Sequence, residues 1–124
     1  MTFALTVRQP WASAIMLGKD VENRSWPTHH RGPLLVHAGT GAWTDDDVDH
    51  VEALLGVELP DELDVGVVLG VVEVVDCVRT SASPWAVAGQ WHWLLARPRQ
   101  FHAPPLARGR LGLWRCELDP EALR

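Results

Sequence analysis

The chain is built from short apolar runs separated by polar or glycine- and proline-rich breaks, and most runs have the length of a strand. Phe3 to Val7 reads as a short strand. Pro10 follows where a first helical turn tolerates a missing N–H, and Trp11 to Leu17 continues as a short helix that Gly18 is placed to close at C′. Leu34 to His37 reads as a buried strand running into Ala38-Gly39-Thr40-Gly41. Thr44 with Asp45, Asp46 and Asp47 predicts an N-capped helix over 45–55, with Val48, Val51, Leu54 and Leu55 on one face and Gly56 at its end. Gly66 to Arg79 is too β-branched for a helix and predicts the longest strand, bent or bulged at Gly70. Trp91 to Ala96 and Leu111 to Leu118 complete the set, separated by Pro104-Pro105. Strands with so few helices between them predict an α+β fold: a small mixed β-barrel, closed or partly closed to remove its edges, carrying two short helices. The 124 residues predict one domain, 1–124, with one core.

Composition changes this picture in three places. Seven Trp stand against no Tyr and two Phe, so tryptophan supplies nearly all the aromatic surface. Cys77 and Cys116 each lie in a strand-like run without a CxxC pattern, which fits packed thiols in a reduced, cytoplasmic protein. No apolar run approaches bilayer length and no cationic leader precedes an apolar stretch, so the expectation is a soluble, unexported chain with no membrane partner. The net charge of −5 is uneven: nine carboxylates and no Lys or Arg fall within residues 45–64, leaving seven acids against eleven bases elsewhere, a balance of +4. That is enough for a local anion-binding face and far below the basicity of a protein that coats nucleic acid without specificity.

Several chemistries are set aside. Gly39-Thr40-Gly41 lacks the third glycine of a dinucleotide fingerprint and the lysine of a P-loop. His29-His30 is the only histidine cluster and has no third or fourth ligand at metal-binding spacing, so neither a metal nor a cofactor is expected. No nucleophile elbow surrounds any serine. What stands out is the single lysine, Lys19, within six residues of Glu22 and Arg24, preceded by Arg8-Gln9-Pro10-Trp11 and followed by Ser25-Trp26 and His30-Arg31. If 21–24 is extended, Glu22 and Arg24 share one face, Val21 and Asn23 the other. Lys19 then serves as a phosphate contact or, with Glu22, as a proton-transfer pair. Trp11 and Trp26 flank the charges and offer faces for a stacked base, unless both are core residues.

These residues carry a resemblance. Leu5-Thr6-Val7-Arg8-Gln9-Pro10-Trp11-Ala12, Gly18-Lys19 with Val21-Glu22-Asn23-Arg24-Ser25-Trp26, His30-Arg31-Gly32-Pro33-Leu34 and His37-Ala38 resemble the ASCH family, related to PUA domains; 66–78 and 106–114 extend the likeness over nearly the whole chain. The resemblance implies a PUA-like barrel whose cleft, near the first helix and the Gly-x-Lys-x-x-Glu-x-Arg segment, binds RNA or other nucleic acid. Some members of the family are described as ribonucleases, some as amidohydrolases of acetylated cytidine, others as binding modules. Lys19 matches the amidohydrolase lysine, but Glu22 stands where that branch has threonine, which places this chain nearer the coactivator-like branch. The expectation is a cleft lined by Arg8, Lys19, Glu22, Arg24 and Arg31, with Gln9, Trp11, Ser25, Trp26 and His30 beside them. It would take single-stranded RNA, another single-stranded nucleic acid, a nucleotide or a modified base. Two rival readings are a hydrolase of RNA or an acylated nucleoside working through Lys19 and Glu22, and a protein-interaction module presenting its tryptophans.

Overall fold

In a computed structural model that describes residues 1–124, β1 (Thr2–Val7) leads into helix α1 (Trp11–Met16), and β2 (Val21–Arg24) and β3 (Gly32–Ala38) follow. Helix α2 (Asp45–Leu55) precedes the long β4 (Val67–Val78), and β5 (Trp91–Gln100) and β6 (Leu113–Cys116) complete the sheet. The six strands form one sheet in the order β2-β5-β4-β3-β1-β6. Only β1 and β3 pair in parallel, Val7 opposite Ala38; the other pairs are antiparallel. The sheet curls into a half-barrel, a mixed α+β architecture of the PUA-like kind.

Alternation along the strands explains why their runs are continuously apolar. Leu5, Val7, Leu34, Val36 and Ala38 point into the main core with Ala12, Ile15 and Met16 of α1. Ala4 and Leu35 point through the opposite face to a second cluster with Val68, Phe101, Trp114 and Cys116. A third cluster, Ala14, Val21, Val51, Leu59 and Trp85, seats α2 against α1. Thr44 and Asp47 cap α2 reciprocally, with the Thr44 hydroxyl accepting from the Asp47 N–H and the Asp47 carboxylate from the Thr44 N–H. The apolar stripe expected on this helix is narrower than its sequence implies: Val51 is fully buried, Val48 and Leu55 partly, and Leu54 faces solvent, because α2 rests on a single small cluster at the sheet's margin.

The bend expected at Gly70 has a steric cause. A Cβ there would lie 2.3 Å from the Arg99 carbonyl oxygen and 2.6 Å from Met16 Sδ, so only glycine lets β4 pass between β5 and α1. The pairing slips beside it, Val36 facing Gly70 but His37 facing Val68, which leaves Leu69 as the extra residue of a bulge. β5 runs past the expected end at Ala96 to Gln100, because a second register shift, from Glu73–Ala96 to Val71–Arg99, accommodates Arg97 and Pro98 outside the ladder. β6 is shorter than the 111–118 expected, starting only after Gly112 and the fully exposed Leu111.

Candidate functional site

The Lys19 segment lies where α1 ends and edge strand β2 begins. The Lys19 N–H bonds back to the Ala14 carbonyl, which ties the turn to α1. Period-two alternation then puts Glu22 and Arg24 side by side. Lys19 is 3% exposed; its ammonium donates to Glu22 Oε1 at 3.0 Å and to the Val21 carbonyl at 2.5 Å. Arg24 Nε and Nη2 both reach Glu22 Oε2 at 2.9 Å, and Nη2 also donates to the Thr6 carbonyl of β1 at 2.9 Å. One carboxylate therefore holds two cations, one on each oxygen, and Arg24 ties edge strand β2 to β1 across the opening.

This bridge forms the floor of an open cleft of about 530 Å³. Arg8, Trp11, Lys19, Glu22, Arg24, Ser25 and Trp26 all line it. Three cations against one carboxylate leave it with a net charge of +2. Arg8 is exposed and makes no ion pair or side-chain hydrogen bond; its guanidinium lies 4.8 Å from the Trp11 ring centroid. Trp11 and Trp26 are each half-buried, with one part packed on the core and another lining the cleft. Trp26 is fixed edge-on against Trp93 at 4.9 Å, and its carbonyl accepts from Trp93 Nε1 at 3.3 Å. Each indole is thus partly core and partly cleft wall.

Three sequence candidates lie elsewhere. Gln9 is fully buried and acts as a staple: its amide oxygen accepts from the Ser13 N–H, and its amide nitrogen donates to Ser13 Oγ and the Asp64 carbonyl. Arg31 turns away to Asp76 of β4 at 3.4 Å and to the Thr28 and His30 carbonyls. His30 Nε2 donates to the Pro33 carbonyl at 2.8 Å, its ring edge-on to Phe3. The chain bends at Ser25 and Trp26 and enters β3 through Gly32, at φ 104°, carrying these residues off the cleft. Asn23, Val87 and Gln90 join the wall instead. Asn23 holds the 81–90 loop there, donating to the Trp85 carbonyl while its Oδ1 accepts from Val87 N–H at 3.0 Å and His92 Nδ1 at 2.8 Å. Nothing in the local sequence marks Val87 or Gln90, because they arrive through a loop more than sixty residues along the chain.

A curled, mixed six-stranded half-barrel carrying two helices has the architecture of the PUA-like class of domain. Within it, the ASCH domain family model matches residues 5–105, and the chain belongs to that family. Among curated proteins, it is similar to human Activating signal cointegrator 1, at 40% identity over 83 residues that cover 61% of this chain and 14% of that protein. The mouse protein of the same name is 39% identical over an alignment of the same extent. The chain thus spans about one seventh of the length of these relatives. No helix is long and apolar enough to cross a membrane.

Proposed function

We propose that the cleft binds single-stranded nucleic acid, RNA in the first place, with a phosphate at Arg8 and a base stacked on Trp11 or Trp26. The observation that carries this reading is the pairing of a cation free of any acidic partner with two half-buried indoles that line the cleft, Trp26 held edge-on by Trp93 and Trp11 beneath the Arg8 guanidinium. Such a platform is rigid before the ligand arrives, and stacking contributes about 1 to 3 kcal/mol per base. Membership of the ASCH family supports the same assignment.

Lys19 and Glu22 serve this function as a brace that sets the field of the cleft. Two of the three Lys19 protons are already donated inside the protein, and each Glu22 oxygen faces a cation, so the pair is arranged for holding charge in place more than for passing a proton. The hydrolase reading through these two residues is correspondingly weaker than the binding one.

Titration of a fluorescently labelled single-stranded RNA of about eight nucleotides, a length within the range occupied by a single-strand-binding fold, tests the proposal. Affinity should fall as salt rises, by about 0.7 in log K per log salt for each phosphate contacted. Arg8→Ala should weaken it. A DNA strand of the same sequence distinguishes the two nucleic acids. Undetectable binding, or affinity indifferent to salt, overturns the reading.

A further inference from the structure

A second cleft of about 560 Å³ opens on the other side of β1. Val7 faces the first cleft; its neighbour Thr6 faces the second, together with His37 of β3 and the 107–111 loop. The loop is fastened there through a chain of hydrogen bonds. The Ala107 carbonyl accepts from His37 Nε2 at 2.6 Å, which in the neutral ring leaves Nδ1 to accept from the Thr6 hydroxyl at 3.2 Å; that hydroxyl in turn accepts from Trp114 Nε1 at 3.3 Å. Gly109 makes the close approach feasible, since a Cβ there would stand 2.9 Å from both His37 Cε1 and Thr6 Oγ1. The loop is therefore a fixed wall, and it carries Arg108 and Arg110 on either side of that glycine.

Neither arginine has an ion pair or a side-chain hydrogen bond, and the cleft contains no carboxylate. Residues 39–41 connect the linings of the two clefts: Gly39 and Thr40 line the second, while the next residue, Gly41, lies against Arg8 of the first, a Cβ there falling 3.8 Å from Arg8 Cδ. Arg8 on one side and the loop carrying Arg108 and Arg110 on the other, three cations with no acidic partner, thus flank Gly39-Thr40-Gly41. The cations on the floor of the first cleft, by contrast, are committed to Glu22.

We propose that the second cleft receives the phosphodiester backbone of the strand whose base occupies the first, so that the ligand is an oligonucleotide passing over Gly39-Thr40-Gly41 and not a single nucleotide. This rests on the nucleic-acid reading of the first cleft and adds to it a direction of travel and a minimum length. Free cations in the second cleft contact phosphate without reading bases, which fixes register and contributes salt-dependent affinity.

The test compares the eight-nucleotide RNA with a nucleoside 5′-monophosphate, using the parent chain, the double variant Arg108→Ala/Arg110→Ala, and Arg115→Ala. The last removes an exposed charge that lies over Phe3, near the opposite end of β1. The oligonucleotide should bind the parent at least tenfold more tightly than the monophosphate. The double variant should lose that advantage, and its salt dependence should become shallower by about 1.4 in log K per log salt, two phosphates' worth. Monophosphate binding should be unchanged by the double variant, and Arg115→Ala should leave both ligands unaffected. Thermal melts establish that the variants are folded. If the oligonucleotide binds but the double variant keeps its affinity and salt slope, or if the monophosphate binds equally well, the second cleft has no such role and the first-cleft reading stands. If neither ligand binds the parent, both fall.

Discussion

Replacing Glu22 with Gln keeps the shape of the side chain and removes the charge that both Lys19 and Arg24 face. Arg24 is 24% exposed along its side chain and finds water readily; Lys19 is 3% exposed and does not. Its ammonium keeps the Val21 carbonyl and a neutral amide oxygen, but no counter-charge. Removing one partner of a buried pair costs about 3 to 5 kcal/mol. The remaining amide contact and the open cleft above place Glu22→Gln near the lower end, at about 3 kcal/mol, or about 12 °C in melting temperature for a chain of this size. Lys19→Met in the same background removes the stranded charge and fills its volume, so the double variant should be more stable than Glu22→Gln alone. Urea unfolding of the parent, both single variants and the double variant gives the coupling energy from a closed cycle. A loss for Glu22→Gln below about 1 kcal/mol, with additive single effects, would place the pair among solvent-screened surface contacts and refute the account of Lys19 as a buried, braced charge.

Trp26→Ala should weaken RNA binding by about 1 to 3 kcal/mol; removing its edge-on contact with Trp93 should also lower stability by about 1 kcal/mol. Calorimetry and melts on one sample separate the two, and unchanged binding would remove Trp26 from the site. Gly70→Ala should destabilise by at least about 1 to 3 kcal/mol, since its methyl group would meet the Arg99 backbone; a melt within a degree of the parent would contradict the packing described. On the surface, the hydrogen bond from Arg97 holds the Glu73 carboxyl below its ordinary value of 4.5. Its stabilising effect is therefore complete above 4.5 and lost as pH falls through the lower folded value. Glu73→Gln should be less stable than the parent at neutral pH and converge with it in acid, and curves that stay parallel from pH 7 to pH 2 would show that the pair contributes nothing.

The parts of the site visible in the sequence were those set by local periodicity. Alternation over four residues is enough to bring Glu22 and Arg24 together, just as, in the fold, the N-cap of α2 is written in Thr44. Direction beyond one element is not. Gln9 sits beside Arg8 in the same polar block, yet its amide is consumed by Ser13 and by the carbonyl of Asp64, a partner no local pattern could supply. Arg31 is lost to Asp76 in the same way, across forty-five positions. A cation's availability therefore depends on which acid the fold brings within reach, more than on whether it is lysine or arginine. Lys19, the residue whose rarity singles it out, is braced by Glu22. Arg108 and Arg110 lie in a stretch with no Asp or Glu between Arg99 and Arg115, and the fold brings none to them. That acid-free stretch is the sequence signal for the second cleft. It gains meaning only once His37 and Thr6 fix the loop beside the end of β1, because two arginines on a free loop would be an ordinary solvated surface.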